Sequence, residues 1–296
     1  MKYRKKDGFD SIIAEEPKHA LEAIAGEFAA QCAAGCVQLG LRFPGGELSA
    51  ALSPEDTLQR AVELSGFEGK VKFVHVGPPL GLFYGPGELA GTKLREAVSG
   101  PGAWGALEVR ICGGETCVLN YLQGLLTELK AESCGRCVFC REGIKQLLYA
   151  LNADTSGKGD ADDVALMSEL ADAMREASYC ELGQAVGAMM LSAVAGFRAE
   201  FEDHIKRKRC EAAVCRAYVT YHILGSKCIG CGDCLDACEE DAIEGKKGFI
   251  HMIDNDECIK CGACMEACEE GAIVTAGAVK PRTPERLTRV GAWKGK

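Results

Sequence analysis

The sequence lacks the marks of several large classes. Met1 to Asp10 is charged and no apolar core follows it, so no secretory signal is expected and a reducing, cytoplasmic setting is. No uncharged run reaches the roughly 20 residues of a bilayer-spanning helix. The longest, Leu182 to Phe197, has 16 residues and contains Gly183, Gly187 and Gly196, so it reads as a buried helix and no direct membrane span is expected. Positive charge is in deficit: 34 Lys and Arg against 43 Asp and Glu leave −9, whereas a general nucleic-acid binder would need a dominant basic surface. Also missing are GxSxG, HExxH, GxGxxG and Walker patterns and any motif-placed carboxylate pair, so hydrolysis and group transfer have no visible machinery. Disordered and collagen-like classes are excluded by 47% hydrophobic and 26% charged residues. A chain of 296 residues suits two or three packed modules.

Basic charge is concentrated at the ends. Lys2, Arg4, Lys5 and Lys6 open the chain, and Gly277 to Lys296 holds six basic residues against the single Glu285. Such ends dock on an acidic partner or remain solvated.

Between them the patterning changes repeatedly. Leu21, Ile24, Phe28 and Cys32 fall at helical spacing within Pro17 to Ala34, a run ended by Gly35. Val37 to Phe43 and Glu47 to Leu52 read as a strand pair around Pro44, Gly45 and Gly46, and Ser53 to Leu64 as a helix capped by Ser53. Val71 to Val76 reads as a strand, Gly77 to Gly87 as irregular, and the small α and β module ends near Ile111. Four helices then follow, over Cys117 to Ala131, Gly143 to Leu151, Ala161 to Glu176 and Leu182 to Arg207, which implies a bundle. Asp160, Asp162 and Asp163 read as the start of the third rather than a calcium site.

Against these absences stand 18 cysteines. With no secretory signal they argue for metal ligation over disulfides. Cys228 to Ile243 recurs thirty residues later as Cys258 to Ile273 with eleven of sixteen positions identical. Each copy has the spacing C-x2-C-x2-C-x3-C of bacterial ferredoxins with paired [4Fe–4S] clusters, in which the fourth cysteine ligates the other cluster. One cluster is therefore expected on Cys228, Cys231, Cys234 and Cys268, the other on Cys258, Cys261, Cys264 and Cys238. Zinc ribbons, which also use C-x2-C pairs, are the competing reading. The usual proline after the fourth cysteine is replaced by Glu239 and Glu269, carboxylates that disfavour added electrons and tend to lower the reduction potential.

A second constellation runs Glu132-Ser-Cys134-Gly-Arg-Cys137-Val-Phe-Cys140-Arg-Glu-Gly143, with Cys180 in YCELG and then FRAEFEDHI. These residues resemble the C-terminal part of the flavin-binding, NADH-oxidising subunit of respiratory complex I. With His204, Lys208, Arg209, Cys210, Cys215 and the ferredoxin repeats included, the chain is still more similar to the beta subunit of NAD-linked and electron-bifurcating hydrogenases, roughly from Leu58 to Ile273 and most strongly from Val109. The resemblance implies a third [4Fe–4S] cluster on Cys134, Cys137, Cys140 and Cys180, a shortened β-grasp module ahead of it, and a structural zinc held by His204, Cys210, Cys215 and Cys117, pinning the ferredoxin module to the helices. The alternative to zinc is a helix-end histidine beside free buried cysteines, and Cys112 is an alternative fourth ligand. The family's GRGGAGFP-type flavin and NADH segment has no counterpart here, so neither FMN nor NAD is expected on this chain. Gly77 to Gly81 resembles the family's GGPSGG stretch and reads as a structural loop or, less simply, a nucleotide cradle. Cys32 and Cys36 are expected to be buried small apolar residues, and His19, His75, His222 and His251 structural or exposed.

The expected fold class is α+β. Residues 1–38 form a helical segment, 39–115 the β-grasp-like module, 116–208 the four-helix-bundle iron–sulfur domain, 209–221 a zinc-linked connector, 222–276 the ferredoxin domain and 277–296 a basic tail. The expected role is electron relay within a hetero-oligomeric oxidoreductase, with a flavoprotein, other redox subunits and soluble ferredoxin as partners. The alternatives are a self-sufficient flavin-dependent NADH oxidoreductase and a redox-sensing scaffold. Donor, acceptor and direction of flow stay open.

Overall fold

The computed structural model describes residues 31, 35–100, 108–277 and 279–294. The helix expected over Pro17 to Ala34 lies outside them except for Gln31, which is helical. The protein is a mixed α and β structure in two compact units, residues 1–208 and 209–296.

The first unit opens with the expected strand pair. β1 (Val37–Phe43) and β2 (Gly46–Leu52) run antiparallel with Val37 opposite Leu52 and Phe43 opposite Gly46. Alternation along β1 puts Val37, Leu39 and Leu41 fully inside. The following helix, α1 (Leu58–Ser65), starts later than expected. Thr57, not Ser53, caps it, accepting from Arg60 N–H, because Pro54 to Asp56 form a turn in which Ser53 N–H donates to Asp56 Oδ2 at 2.7 Å. Leu58, Ala61 and Val62 face the sheet core. The strands β3 (Val71–Val76), β4 (Leu82–Tyr84) and β5 (Glu108–Gly113) complete a five-stranded sheet of order β2-β1-β5-β3-β4. Only the β1–β5 pairing is parallel. The stretch Gly77 to Gly87 is thus not wholly irregular: β4 lies inside it, and α2 (Leu94–Val98) follows.

Four helices come next: α3 (Val118–Glu132), α4 (Val138–Thr155), α5 (Asp163–Ala177) and α6 (Glu181–Lys206). Each packs on the next. α4 begins five residues before the expected Gly143, at the cysteine-bearing turn. At the start of α5, Asp160 N–H donates to Asp163 Oδ2 at 2.7 Å, so those carboxylates serve a helix start. Gly187 lets α6 approach α5 closely, because a Cβ there would strike the Ala171 carbonyl oxygen and the Arg175 backbone. α6 is long and apolar enough to cross a membrane by length and composition alone, but just over half of that window, 56%, is buried within the protein. Its helical geometry breaks once, at Phe197 (φ −128°, ψ 26°).

Among its described residues the second unit has three two-stranded pairings. β6 (Thr220–Ile223) pairs with β10 (Ile273–Ala276), β7 (Ile243–Glu244) with β9 (Met252–Ile253), and β8 (Phe249–Ile250) with β11 (Thr288–Arg289). Two single-turn helices, α7 (Asp233–Asp236) and α8 (Ala263–Glu266), carry Cys234 and Cys264 inward, where they pack with Ile223, Ile243, Ala272 and Ile273. The basic C-terminal stretch is not simply solvated. β11 folds back onto β8 within the same unit, and Arg289 lies over the Phe249 ring at 5.8 Å.

Candidate metal centres

The first cysteine group is built by two helix starts. α3 ends at Glu132, Gly135 turns the chain with φ 78°, and Cys137 then occupies the N-cap of α4. Cys140 follows within the first turn, and Cys180 is the N-cap of α6. Unpaired N–H groups at such positions favour negative charge. Burial raises the Cys137 thiol, but backbone N–H groups of Cys140, Tyr179 and Phe139 outweigh it and leave the thiol below its ordinary value. Cys180 is raised by burial despite the N–H groups of Gly183 and Leu182. Cys140 is pushed up to about 11 by burial and by the charges of Cys180, Cys137 and Cys134, although the Ser133 hydroxyl, 3.6 Å from its sulfur, opposes the shift. Arg141 braces the turn by donating to the Gly135 carbonyl at 2.7 Å. Four thiolates that repel one another in a largely buried place fit a cationic iron–sulfur core, which supplies the missing positive charge.

The ferredoxin cysteines form two interlocked groups. Cys234 is pushed up to about 12 by burial and by Cys228, Cys231, Cys268 and Cys264. Cys264 is raised by burial and by Cys258, Cys261 and Cys238. Each central cysteine thus feels the fourth cysteine of the other repeat. Cys238, Cys258, Cys261 and Cys264 line one cavity, walled by Tyr221, Ile243, Ile253 and Ile259. Backbone N–H groups also reach sulfur: Lys260 donates to Cys258 and Ala272 to Cys268, both at 3.4 Å.

The third set of candidate ligands is divided between the two units. Cys117 and His204 are both buried in the first unit, and Cys210 and Cys215 are both buried in the second. Three thiolates and one neutral imidazole are a donor set that suits tetrahedral zinc by its chemistry. His204 presents Nε2 to Cys117 Sγ at 3.4 Å, with Nδ1 2.8 Å from the Glu200 carbonyl. Cys112 is not in the set: it is buried in β5, its thiol raised to about 11 by burial.

Other candidates separate cleanly. Cys36 is exposed, against expectation, because it lies in the turn ahead of β1 rather than on a helix face; Cys32 and His19 lie outside the described residues. His75 stacks on Phe83 at 4.4 Å with Nδ1 2.9 Å from the Tyr121 hydroxyl. Burial lowers its pKa to about 3, so it stays neutral and structural. His222 contacts the Thr220 hydroxyl at 2.7 Å, and His251 is buried. Lys72 and Glu200, which embrace the chain at Cys117, carried no sequence signal: they stand 128 residues apart.

Two of the cysteine-bearing stretches match known iron–sulfur regions. Residues 120–204 match the NADH-ubiquinone oxidoreductase-F iron-sulfur binding region, and residues 227–272 match the 4Fe-4S dicluster domain. Among curated proteins the chain is 34% identical over 191 residues to NADP-reducing hydrogenase subunit HndC of Solidesulfovibrio fructosivorans, covering 62% of this chain and 38% of that one. It is 32% identical over 116 residues to the F subunit of NADH-quinone oxidoreductase from Streptomyces coelicolor, covering 39% and 26%. A third relative, NADP(+)-dependent formate dehydrogenase subunit beta of Moorella thermoacetica, is 34% identical over 124 residues, 42% of this chain and 17% of its own length. The chain thus spans less than two fifths of each of these relatives. A solved NAD+-reducing [NiFe]-hydrogenase in the H2-reduced state is similar at 19% identity with a TM-score of 0.47, over 55% of this chain and 28% of that one.

Proposed function

We propose that the protein is an iron–sulfur electron-transfer subunit of a multi-subunit oxidoreductase, relaying electrons among three [4Fe–4S] clusters and a partner flavin or cofactor subunit. The observation that supports the reading is the gathering of cysteines around Cys140, Cys234 and Cys264, which we assign to three clusters on Cys134/137/140/180, Cys228/231/234/268 and Cys258/261/264/238. Clusters supply one-electron chemistry when bound. The chain's own residues hold the thiolates, aim backbone N–H groups at sulfur and exclude water with Ile243 and Ile253. The sheet order β2-β1-β5-β3-β4 with parallel β1 and β5 supports reading residues 39–115 as a β-grasp-like module, and the successive packing of α3 to α6 supports a four-helix bundle over 116–208. The same reading gives a zinc-linked connector over 209–221 and a ferredoxin domain over 222–276. Cys117, His204, Cys210 and Cys215 hold a closed structural zinc in this reading, with no open position for catalysis. The chemistry then belongs to partners in the cytoplasm, a flavoprotein, further redox subunits or a soluble ferredoxin, and neither FMN nor NAD resides on this chain.

The test is a measurement of iron, acid-labile sulfide, zinc and flavin on protein purified without oxygen, together with identification of co-purifying subunits. About twelve irons and one zinc per chain, with flavin only on a partner, are expected. About eight irons would remove one cluster from the proposal, and stoichiometric flavin on the isolated chain would overturn the relay role. Cys231→Ser is expected to lower turnover of the assembled complex, and full activity would count against the relay.

A further inference from the structure

Cys117 stands at the N-cap of α3, where a Ser, Thr, Asp or Asn would ordinarily accept a hydrogen bond from an early helical N–H. Its side chain makes no capping bond. The acceptor comes instead from α6: Glu200 Oε1 takes the Val118 N–H at 3.1 Å. The same oxygen lies 2.9 Å from Lys72 Nζ, which also donates to the Thr116 carbonyl at 2.6 Å. The peptide groups on both sides of Cys117 are therefore held by one ion pair. Glu200 acts a second time through its backbone, whose carbonyl sits 2.8 Å from His204 Nδ1. That bond requires the proton on Nδ1 and leaves Nε2, 3.4 Å from Cys117 Sγ, as the lone-pair donor. The side chains of Lys72 and Glu200 are only 16% and 11% exposed. A pair so deeply placed is a poor device for stability, because desolvation offsets its attraction. Its geometry is accounted for by what it orients.

We infer that Lys72 and Glu200 are positioning residues that set Cys117 and His204 in ligating geometry ahead of the ion. The inference rests on the zinc reading of that site. The experiment compares the wild-type chain, Glu200→Gln, and the double variant Lys72→Met/Glu200→Met, in which no buried charge is left alone. Zinc and iron contents are measured, and zinc release is followed with a chromogenic chelator under anaerobic conditions. The expected result is a double variant with wild-type iron and helical content that releases zinc about 10- to 100-fold more readily. Glu200→Gln, which still accepts from Val118, is expected to show a smaller increase. Cobalt(II) loaded into the double variant is expected to show altered ligand-field bands, a readout that a merely structural role would leave unmoved. Wild-type zinc with unchanged release and unchanged cobalt bands in the folded double variant overturns the positioning role alone. Wild-type protein without zinc overturns the zinc reading and this inference together.

Discussion

The two ferredoxin repeats share most of their residues, yet their third positions, Gly230 and Lys260, meet different neighbours. Both sit at positive φ, 72° and 60°. In the first repeat the 248–249 backbone leans on the loop: Gly248 N–H donates to the Gly230 carbonyl at 2.9 Å, and a Cβ at 230 would lie 2.7 Å from the Phe249 carbonyl oxygen. In the second repeat Lys260 accepts the left-handed conformation, its N–H donating to Cys258 sulfur and its Nζ to the Arg216 carbonyl at 2.9 Å. Non-glycine residues enter that conformation at a cost of about 1–2 kcal/mol. The cysteine spacing therefore specifies the loop's backbone, and the packing around each copy then decides which side chain it tolerates.

The comparison breaks most completely if a ligand is removed. On the proposed crossover, Cys238→Ala lies in the first repeat but abolishes the cluster of the second, with loss of about four irons and of that cluster's magnetic resonance signal. Cys268→Ala is expected to do the reverse. Loss of the signal belonging to the mutated repeat itself would refute the crossover. A smaller effect is expected of Gly230→Lys, which imposes left-handed strain of about 1–2 kcal/mol and overpacking of about 1–3 kcal/mol against Phe249. It should appear as a lower melting temperature and faster loss of iron to a chelator, from the first-repeat cluster before the second. Least of all is expected from Lys260→Gly, which relieves strain but gives up an exposed hydrogen bond. A net gain of at most about 1 kcal/mol should follow, read as a slight rise in melting temperature.

Much of this arrangement was legible in the sequence because its signals are local. Strand alternation in Val37 to Phe43, the apolar periods of the later helices and the cysteine spacings all act within a few residues of themselves. Where local chemistry offered two answers, the choice was made by contacts the sequence does not display. Ser53 and Thr57 are both good caps, and Thr57 takes the role because Pro54 to Asp56 turn away first. β4 was hidden among glycines and prolines, since three residues gain strand character only by pairing with Val74 to Val76. Cys36 looked buried only while it was assigned to a helix face. The basic C-terminal stretch gave no sign that Thr288 and Arg289 would pair with Phe249 and Ile250. The hold of Lys72 and Glu200 on Cys117 spans three separate elements, so no window of sequence contains it.

The break at Phe197 gives α6 two loyalties. Cys180 caps its start and His204 lies 24 residues on, a helical rise of about 36 Å. Ahead of the break the helix packs on its helical neighbours and also accepts the Phe83 N–H of β4 on Ser192 Oγ at 3.2 Å. At and beyond it, Phe197 packs edge-on against Phe73 at 5.5 Å, and Glu200 grips Lys72 on the same strand, β3. The last turns, with His204, are thereby held to β3, as the middle of the helix is held to β4.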